Sequence, residues 1–122
     1  MFREIKVGDK IVPMLANGAT ALRYRHVFKR DIIKELSEAQ EDMSKGVNSI
    51  PELAFIMAMA AKAKDGEVDM NLLNEEKYIE WLEDFGPMDL PMAAEEITNL
   101  YAGNSITDSE PKKKGRGGVK DN

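Results

Sequence analysis

The chain has 122 residues, and its hydrophobic share of 43% and charged share of 32% are typical of one globular domain. It contains no cysteine, which excludes disulfides, thiolate nucleophiles and cysteine metal sites and fits a reducing, cytosolic setting. The net charge of −5 is uneven, because residues 1–110 carry 12 basic and 21 acidic groups whereas residues 111–122 carry five basic groups and one acidic group.

Neither a signal peptide nor a membrane span is expected. The first residues, Met1 to Ile5, include charges and no apolar run follows them. The longest apolar run, Leu53 to Ala61, has nine residues, far fewer than the roughly 20 that cross a bilayer. This run is therefore predicted to be part of a buried helix.

Residues 2–15 are predicted to form a β-hairpin. Ile5 and Val7 alternate with charged residues, and Gly8-Asp9 fits a two-residue turn because glycine tolerates positive φ. Pro13 favours an edge strand. A lone hairpin is only marginally stable, so we expect it to pack on an apolar surface.

Two helices are predicted next. The first begins near Ala19 and places Tyr24 and Phe28 on one face, since they are four residues apart. Asp31 is a start signal for the second, which should end near Gly46. The predicted inward positions of the second helix are Ile32, Ile33, Leu36, Ala39, Gln40 and Met43.

A central helix is predicted from Pro51 to about Lys64. Ser49 can cap it, with Glu52 completing a capping box. Because the stretch Leu53–Ala61 is apolar nearly all round, we place this helix at the centre of the fold. Asp65-Gly66 is the predicted stop.

Two further helices follow. Asn74 can cap a short helix that Gly86-Pro87 closes, with an inward side formed by Tyr78, Ile79, Leu82 and Phe85. A final helix should open at Asp89-Leu90-Pro91 and close at Gly103-Asn104. The predicted fold is mainly α: a small domain of about five helices over residues 1–104, with an N-terminal β-hairpin and a disordered basic C-terminal tail, residues 105–122.

The sequence contains no recognisable motif for catalysis, metal binding or cofactor binding, so we expect a protein that is not an enzyme. His26 is the only histidine, and Asp65 to Asp69 is an incomplete match to a calcium loop. Neighbouring carboxylates such as Glu95-Glu96 are best explained as solvated helix faces.

The segment Arg23–Arg30 has the composition of a nucleic-acid face, since its cations alternate with Tyr24 and Phe28. The alternative is that the aromatic rings point inward while the cations extend to solvent. The acidic body would repel a phosphate backbone, which disfavours nucleic-acid binding. The basic tail could contact nucleic acid or an acidic partner, or be a simple terminus.

A family resemblance rests on the order of these elements. A short strand pair and Asn17-Gly18-Ala19-Thr20 precede the pattern Tyr-Arg-x-x-Phe-x-x-Asp, which begins at Tyr24, and an apolar helix from Leu53 and a Trp81-Leu82 helix follow. Over residues 2–103 this resembles the tail assembly chaperones of long-tailed (siphovirus-type) bacteriophages of Gram-positive hosts. The family often has glycine after the phenylalanine, where this chain has Lys29.

The resemblance implies a helical, non-enzymatic protein that binds the phage tape measure protein and assists tail tube assembly. Such a chaperone acts in the host cytoplasm and is absent from the mature virion. Contact with the major tail protein and homo-oligomer formation stay open. Family members are often also made in a frameshift-extended form, and Lys112-Lys113-Lys114-Gly115 is compatible with a slippery sequence.

We expect an apolar partner-binding groove near the Gly-Pro and Leu-Pro breaks, where Trp81 need not be buried with the inward residues. Its predicted residues are Tyr78, Trp81, Phe85, Met88, Leu90 and Met92. Two rival functions remain at this point: a small nucleic-acid-associated protein using Arg23–Arg30 and the tail, and a plain helical scaffold or adaptor without a client.

Overall fold

The computed structural model describes residues 1–42, 48–63 and 67–106. Within these ranges the chain forms a two-stranded antiparallel sheet, six α-helices and a 3-10 turn at Met70–Leu72. The strands are β1 (Phe2–Val7) and β2 (Lys10–Leu15), and the helices are α1 (Thr20–Phe28), α2 (Ile32–Glu41), α3 (Ser49–Lys62), α4 (Glu75–Leu82), α5 (Asp89–Met92) and α6 (Ala94–Ile106). The predicted mainly α fold with an N-terminal hairpin is confirmed.

The hairpin forms with the predicted two-residue turn. Val7 pairs with Lys10, and Gly8 has φ 65° in the left-handed region that glycine accepts without strain. Its inner face, which packs on the helices, buries Ile5, Val7, Val12 and Met14. The hairpin thus obtains the apolar support that two isolated strands lack.

The junction between α1 and α2 is tight. Lys29 ends α1 with φ 61° and is the one non-glycine residue with positive φ in the described ranges. Asp31 then caps α2 as predicted, since its Oδ1 accepts a hydrogen bond from the Ile33 amide at 2.9 Å. The α2 helix ends at Glu41, and the predicted Met43 contact and Gly46 stop lie outside the described residues.

Helix α3 is the centre of the fold, as predicted. It contacts β2 and each of the other five helices, and Leu53 to Ala58 are all buried. The predicted capping box is wrong: Ser49 is the first helical residue, and Asn48 before it makes no side-chain cap. The carboxylate of Glu52 instead turns toward α1 and away from the helix start. The helix ends at Lys62, and Asp65-Gly66 lie outside the described residues.

Helix α4 begins at the predicted cap but is rotated from its predicted orientation. Asn74 Oδ1 accepts a hydrogen bond from the Lys77 amide at 2.9 Å. Ile79, predicted to face inward, is 57% exposed, whereas Trp81 is only 9% exposed. Trp81 follows Tyr78 by three residues, which places both on the inner side of α4, and Phe85, beyond the end of α4, packs against the Trp81 ring.

The predicted final helix is two helices. Met92 ends α5, Ala93 breaks the run, and α6 begins at Ala94. Gly103-Asn104 does not close α6, which continues to Ile106, so that predicted stop is wrong. Ile97, Leu100 and Tyr101 are buried as predicted. The predicted basic tail from residue 107 onward lies outside the described residues.

Candidate partner-binding surfaces

A buried polar cluster joins the first three helices. Tyr24 Oη donates a hydrogen bond to Glu52 Oε1 at 2.7 Å, and Arg30 bonds the same oxygen. Arg30 Nη1 also donates to Glu35 Oε1 at 3.1 Å. Burial and the Glu52 carboxylate raise the pKa of Tyr24. The cluster fixes α1 and α2 against α3, so surfaces formed by these helices have a defined shape.

A chain of aromatic rings connects α1 to α4 through the core. Ring centroids lie 5.2 Å apart for Phe28 and Tyr78, 5.4 Å for Tyr78 and Phe55, and 5.6 Å for Phe55 and Trp81. The last pair, Trp81 and Phe85, is 4.9 Å apart with an edge-on geometry. Trp81 is therefore a packing residue that is buried with the inward side of α4.

Five of the six residues predicted to form one groove are divided among three separate concave regions, and Met88 lines none of the three. Tyr78, Phe85 and Leu90 line a cavity of about 310 Å³ between the start of α3 and α4–α5. Trp81 borders a different cavity of about 330 Å³, beside Phe55. Met92 borders a third of about 390 Å³, beside the hairpin turn.

Exposure also divides the predicted residues. Leu90 is buried, and Tyr78 and Phe85 are half-buried, whereas Met88 is 61% and Met92 81% exposed. Burial raises the pKa of Tyr78 to about 12, with the negative charge of Glu52 adding to the effect. We call the part that a partner can reach the α4–α5 surface, defined by Tyr78, Phe85, Met88 and Met92.

A larger apolar groove, which the sequence did not reveal, lies between α2 and α6. Two cavities of about 430 and 280 Å³ share Leu36, Gln40 and Thr98 and so form one depression. We call it the α2–α6 groove, and its remaining lining residues are Ile33, Ser37, Ala39, Ile50, Ala94, Glu95, Asn99, Tyr101 and Ala102. The available signal was the pair Ile32-Ile33, because adjacent residues of a helix point about 100° apart and one of the two can lie at the edge of the buried face.

The two adjacent isoleucines at the start of α2 differ in exposure. Ile32 is fully buried, and Ile33 is 62% exposed at the groove. Leu36 is half-buried, packing on the core and also lining the groove. Tyr24 and Phe28, predicted on one face of α1, and Ile32 are thus buried in the core, and Leu36 packs at its outer edge.

The cations of α1 extend to solvent, as the alternative interpretation of Arg23–Arg30 expected. Arg25, His26 and Lys29 are exposed, while Tyr24 and Phe28 are buried and cannot stack on bases. Arg30 is paired with acidic groups. This face of α1 therefore lacks the accessible rings that make a basic segment a single-strand binding surface.

The described part of the chain holds no group of three or more histidine, cysteine, aspartate or glutamate side chains placed to bind a metal ion. Asp69, at the end of the proposed calcium-loop match, caps the 3-10 turn by accepting from the Asn71 amide at 2.9 Å. Across residues 1–42, 48–63 and 67–106, no helix has both the length and the apolar content of a membrane span.

Comparison of the chain with protein-family models, with curated proteins and with solved structures found no match.

Proposed function

We propose that this protein is a tail assembly chaperone of a long-tailed bacteriophage, which binds the tape measure protein and assists assembly of the tail tube around it. The observation that carries the proposal is an open apolar groove on an acidic helical body. A chaperone for long helical segments needs such a combination, because the groove covers apolar client side chains while the net charge keeps the complex soluble.

The residues that carry the family resemblance support the proposal through their structural roles. Tyr24 and Phe28 are buried in the ring chain, and Asp31 caps α2. Lys29 occupies a left-handed position at which glycine is the least strained residue, so the glycine usual in the family fits the same turn. The resemblance thus concerns positions that determine the fold.

Nucleic-acid binding receives less support than the chaperone role. The exposed cations of α1 lack accessible aromatic partners, and residues 1–110 carry nine more acidic than basic groups. A field of that sign opposes association with a phosphate backbone.

Co-expression with fragments of a tape measure protein tests the function. We suggest fragments of a very long coiled-coil protein, if a neighbouring gene encodes one, produced with and without the full chain. The chaperone should keep at least one fragment soluble and co-elute with it in gel filtration. If every fragment stays insoluble, or remains soluble without co-elution, the proposal is wrong.

The gene itself offers a second test. A chaperone of this class is expected to lie between a major tail protein gene and the tape measure gene, with a slippery heptamer at the codons of Lys112-Lys113-Lys114. A gene without that heptamer and without an overlapping frame would contradict the frameshift-extended form, while leaving the chaperone role to the co-expression experiment.

A further inference from the structure

We infer that the α2–α6 groove binds an amphipathic helix of the partner whose apolar stripe is flanked by lysine or arginine residues. The inference rests on the proposed function, because it assumes that a client protein exists. It adds the chemistry of the client segment and the surface that binds this segment. It places the client on the α2–α6 groove and not on the α4–α5 surface.

The shape of the groove suits a short length of helix. On the α6 side the lining residues extend from Ala94 to Ala102. On the α2 side they extend from Ile33 to Gln40. At a rise of 1.5 Å per residue these edges are about 10–12 Å long, which corresponds to roughly two turns of a bound helix.

The lining favours an apolar stripe. Leu36 and Ile50 supply aliphatic surface, and Ala39 and Ala94 leave space for larger side chains from a partner. Glu95 is the one charged residue among the lining side chains of the two cavities. Burying apolar area there would stabilise the complex by roughly 25 cal/mol for each Å² removed from water.

The charges around the groove favour a basic flank. Between Ala94 and Gly103, α6 has no basic residue, and its Glu95 lines the groove and is exposed. Helix α2 has Lys34 as its only cation against three glutamates, of which Glu35 is already paired with Arg30. Cationic side chains beside the apolar stripe would therefore be attracted by Glu95 and by the acidic body around the groove.

The same charges disfavour occupants from this chain. A second copy carries the same acidic body, so its approach is opposed by repulsion between like charges. The tail, residues 111–122, has the complementary charge, but Val119 is its only large apolar residue. Neither supplies both the apolar stripe and the positive flank.

The test uses the full chain and a labelled synthetic peptide. The peptide is an amphipathic helix with leucines at i, i+3 and i+4 spacing and lysines on both flanks, and a matched peptide has glutamate in place of lysine. By fluorescence anisotropy, the lysine peptide should bind at least about tenfold more tightly, and rising salt should weaken it. Equal affinity for both peptides, or no binding, would overturn the inference.

Two substitutions locate the site. Gln40 is exposed and borders both cavities of the groove, so Gln40→Arg adds a bulky cation there without disturbing the core. Met88→Arg adds the same charge to the α4–α5 surface. Gln40→Arg should weaken peptide binding about tenfold and Met88→Arg by less than about twofold, with circular dichroism unchanged for both. The reverse order would assign the client to the α4–α5 surface and overturn the inference.

Two further measurements test whether a second copy of the chain, or the chain's own tail, occupies the groove instead of the partner helix. A dimer in light scattering that Gln40→Arg abolishes would show that the groove joins two copies, which would overturn the inference. Stronger peptide binding after replacement of Lys112, Lys113 and Lys114 by serine would show that the tail occupies the groove, which would also overturn the inference. The same variants in the tape measure co-expression separate the two proposals: a fragment that still co-elutes with Gln40→Arg leaves the function intact and removes the groove.

Discussion

The phenol of Tyr24 in α1 and the carboxylate of Glu52 in α3 meet in the core, 28 positions apart in sequence, with an Oη–Oε1 distance of 2.7 Å. Arg30 reaches the same carboxylate from the α1–α2 junction. Glu52 is only 8% exposed, so these two donors supply the compensation that a buried carboxylate requires.

Removing this acceptor should destabilise the protein. Glu52→Ala leaves the Tyr24 hydroxyl buried without a partner and is expected to lower the free energy of unfolding by about 2 kcal/mol. Tyr24→Phe should cost about 1 kcal/mol, because it removes the donor while Arg30 still pairs with the carboxylate. Urea unfolding followed by circular dichroism measures both.

The exposed pair of Lys77 and Glu80, 3.4 Å apart, provides the control for that experiment. Glu80→Ala should leave the urea midpoint essentially unchanged, because exposed ion pairs contribute little. Should Glu52→Ala shift the midpoint no more than Glu80→Ala does, the cluster has no stabilising role.

Trp81 should behave as a core residue. Trp81→Ala removes contacts with Phe55 and Phe85 and is expected to cost about 3–5 kcal/mol. Met92→Ala, at a position that is 81% exposed, should leave the thermal midpoint nearly unchanged. Differential scanning calorimetry of both variants decides this, and equal midpoints would contradict the assignment of Trp81 to the core.

This result also bears on how client binding is measured. A loss of binding in Trp81→Ala would report unfolding and not contact with a partner. Substitutions at exposed positions such as Gln40 and Met88 avoid that ambiguity.

Ser49 and Asn74 are expected to respond in opposite ways to alanine. Ser49 Oγ is buried and has no hydrogen-bond partner among the described residues. Ser49→Ala removes that unsatisfied group and should be neutral or stabilise the protein by up to about 1 kcal/mol. Asn74→Ala removes a cap and should cost about 1 kcal/mol. Chemical denaturation of the two variants would disprove the pattern if Ser49→Ala proved the more damaging.

These two residues show which helix starts the sequence can predict. Asn74 and Asp31 were identified correctly because a cap is a local bond between a side chain and a backbone amide two or three residues away. Ser49 and Glu52 have the spacing of a capping box, but Glu52 finds stronger partners in Tyr24 and Arg30. The contact of Glu52 with α1 replaces the local capping box, and a single sequence does not reveal a contact between residues so far apart.

The candidate site was harder to predict than the fold for the same reason. The α2–α6 groove joins residues such as Leu36 and Thr98, which are far apart in sequence, and its shape depends on how two helices pack on α3. The apolar character of Leu53–Ala58 was enough to place α3 at the centre. The rotation of α4, which exposes Ile79 and buries Trp81, depends on the Phe55 ring that α3 presents.

The hairpin turn should not tolerate a side chain at Gly8. Its φ is 65°, and a Cβ there would lie 2.4 Å from Asp89 Oδ2, an atom that also accepts from the Gly86 amide at 2.8 Å. Gly8→Ala is expected to cost about 2 kcal/mol, from left-handed strain and the displaced carboxylate. Gly18→Ala is the matched control, because nothing lies within 4 Å of its added Cβ.

Thermal unfolding of the two glycine variants separates the contributions. Adding Asp89→Ala to Gly8→Ala should recover part of the loss, since it removes the clash but leaves the backbone strain. If Gly8→Ala unfolds at the same temperature as Gly18→Ala, the turn does not impose the conformation described.

Alkaline pH should destabilise the fold through Tyr78. Burial raises its folded-state pKa to about 12, above the value of about 10 for an unfolded chain. The folded state therefore holds this proton more tightly, so the contribution of Tyr78 is fully present below pH 10 and is lost as pH rises toward 12. Between pH 9 and pH 11 the free energy of unfolding should fall by on the order of 1 kcal/mol from this residue. Tyr78→Phe has no proton to lose, so in urea unfolding its stability should fall less than that of the unmodified chain over this interval. Parallel slopes for the two proteins would show that Tyr78 is not the titrating group.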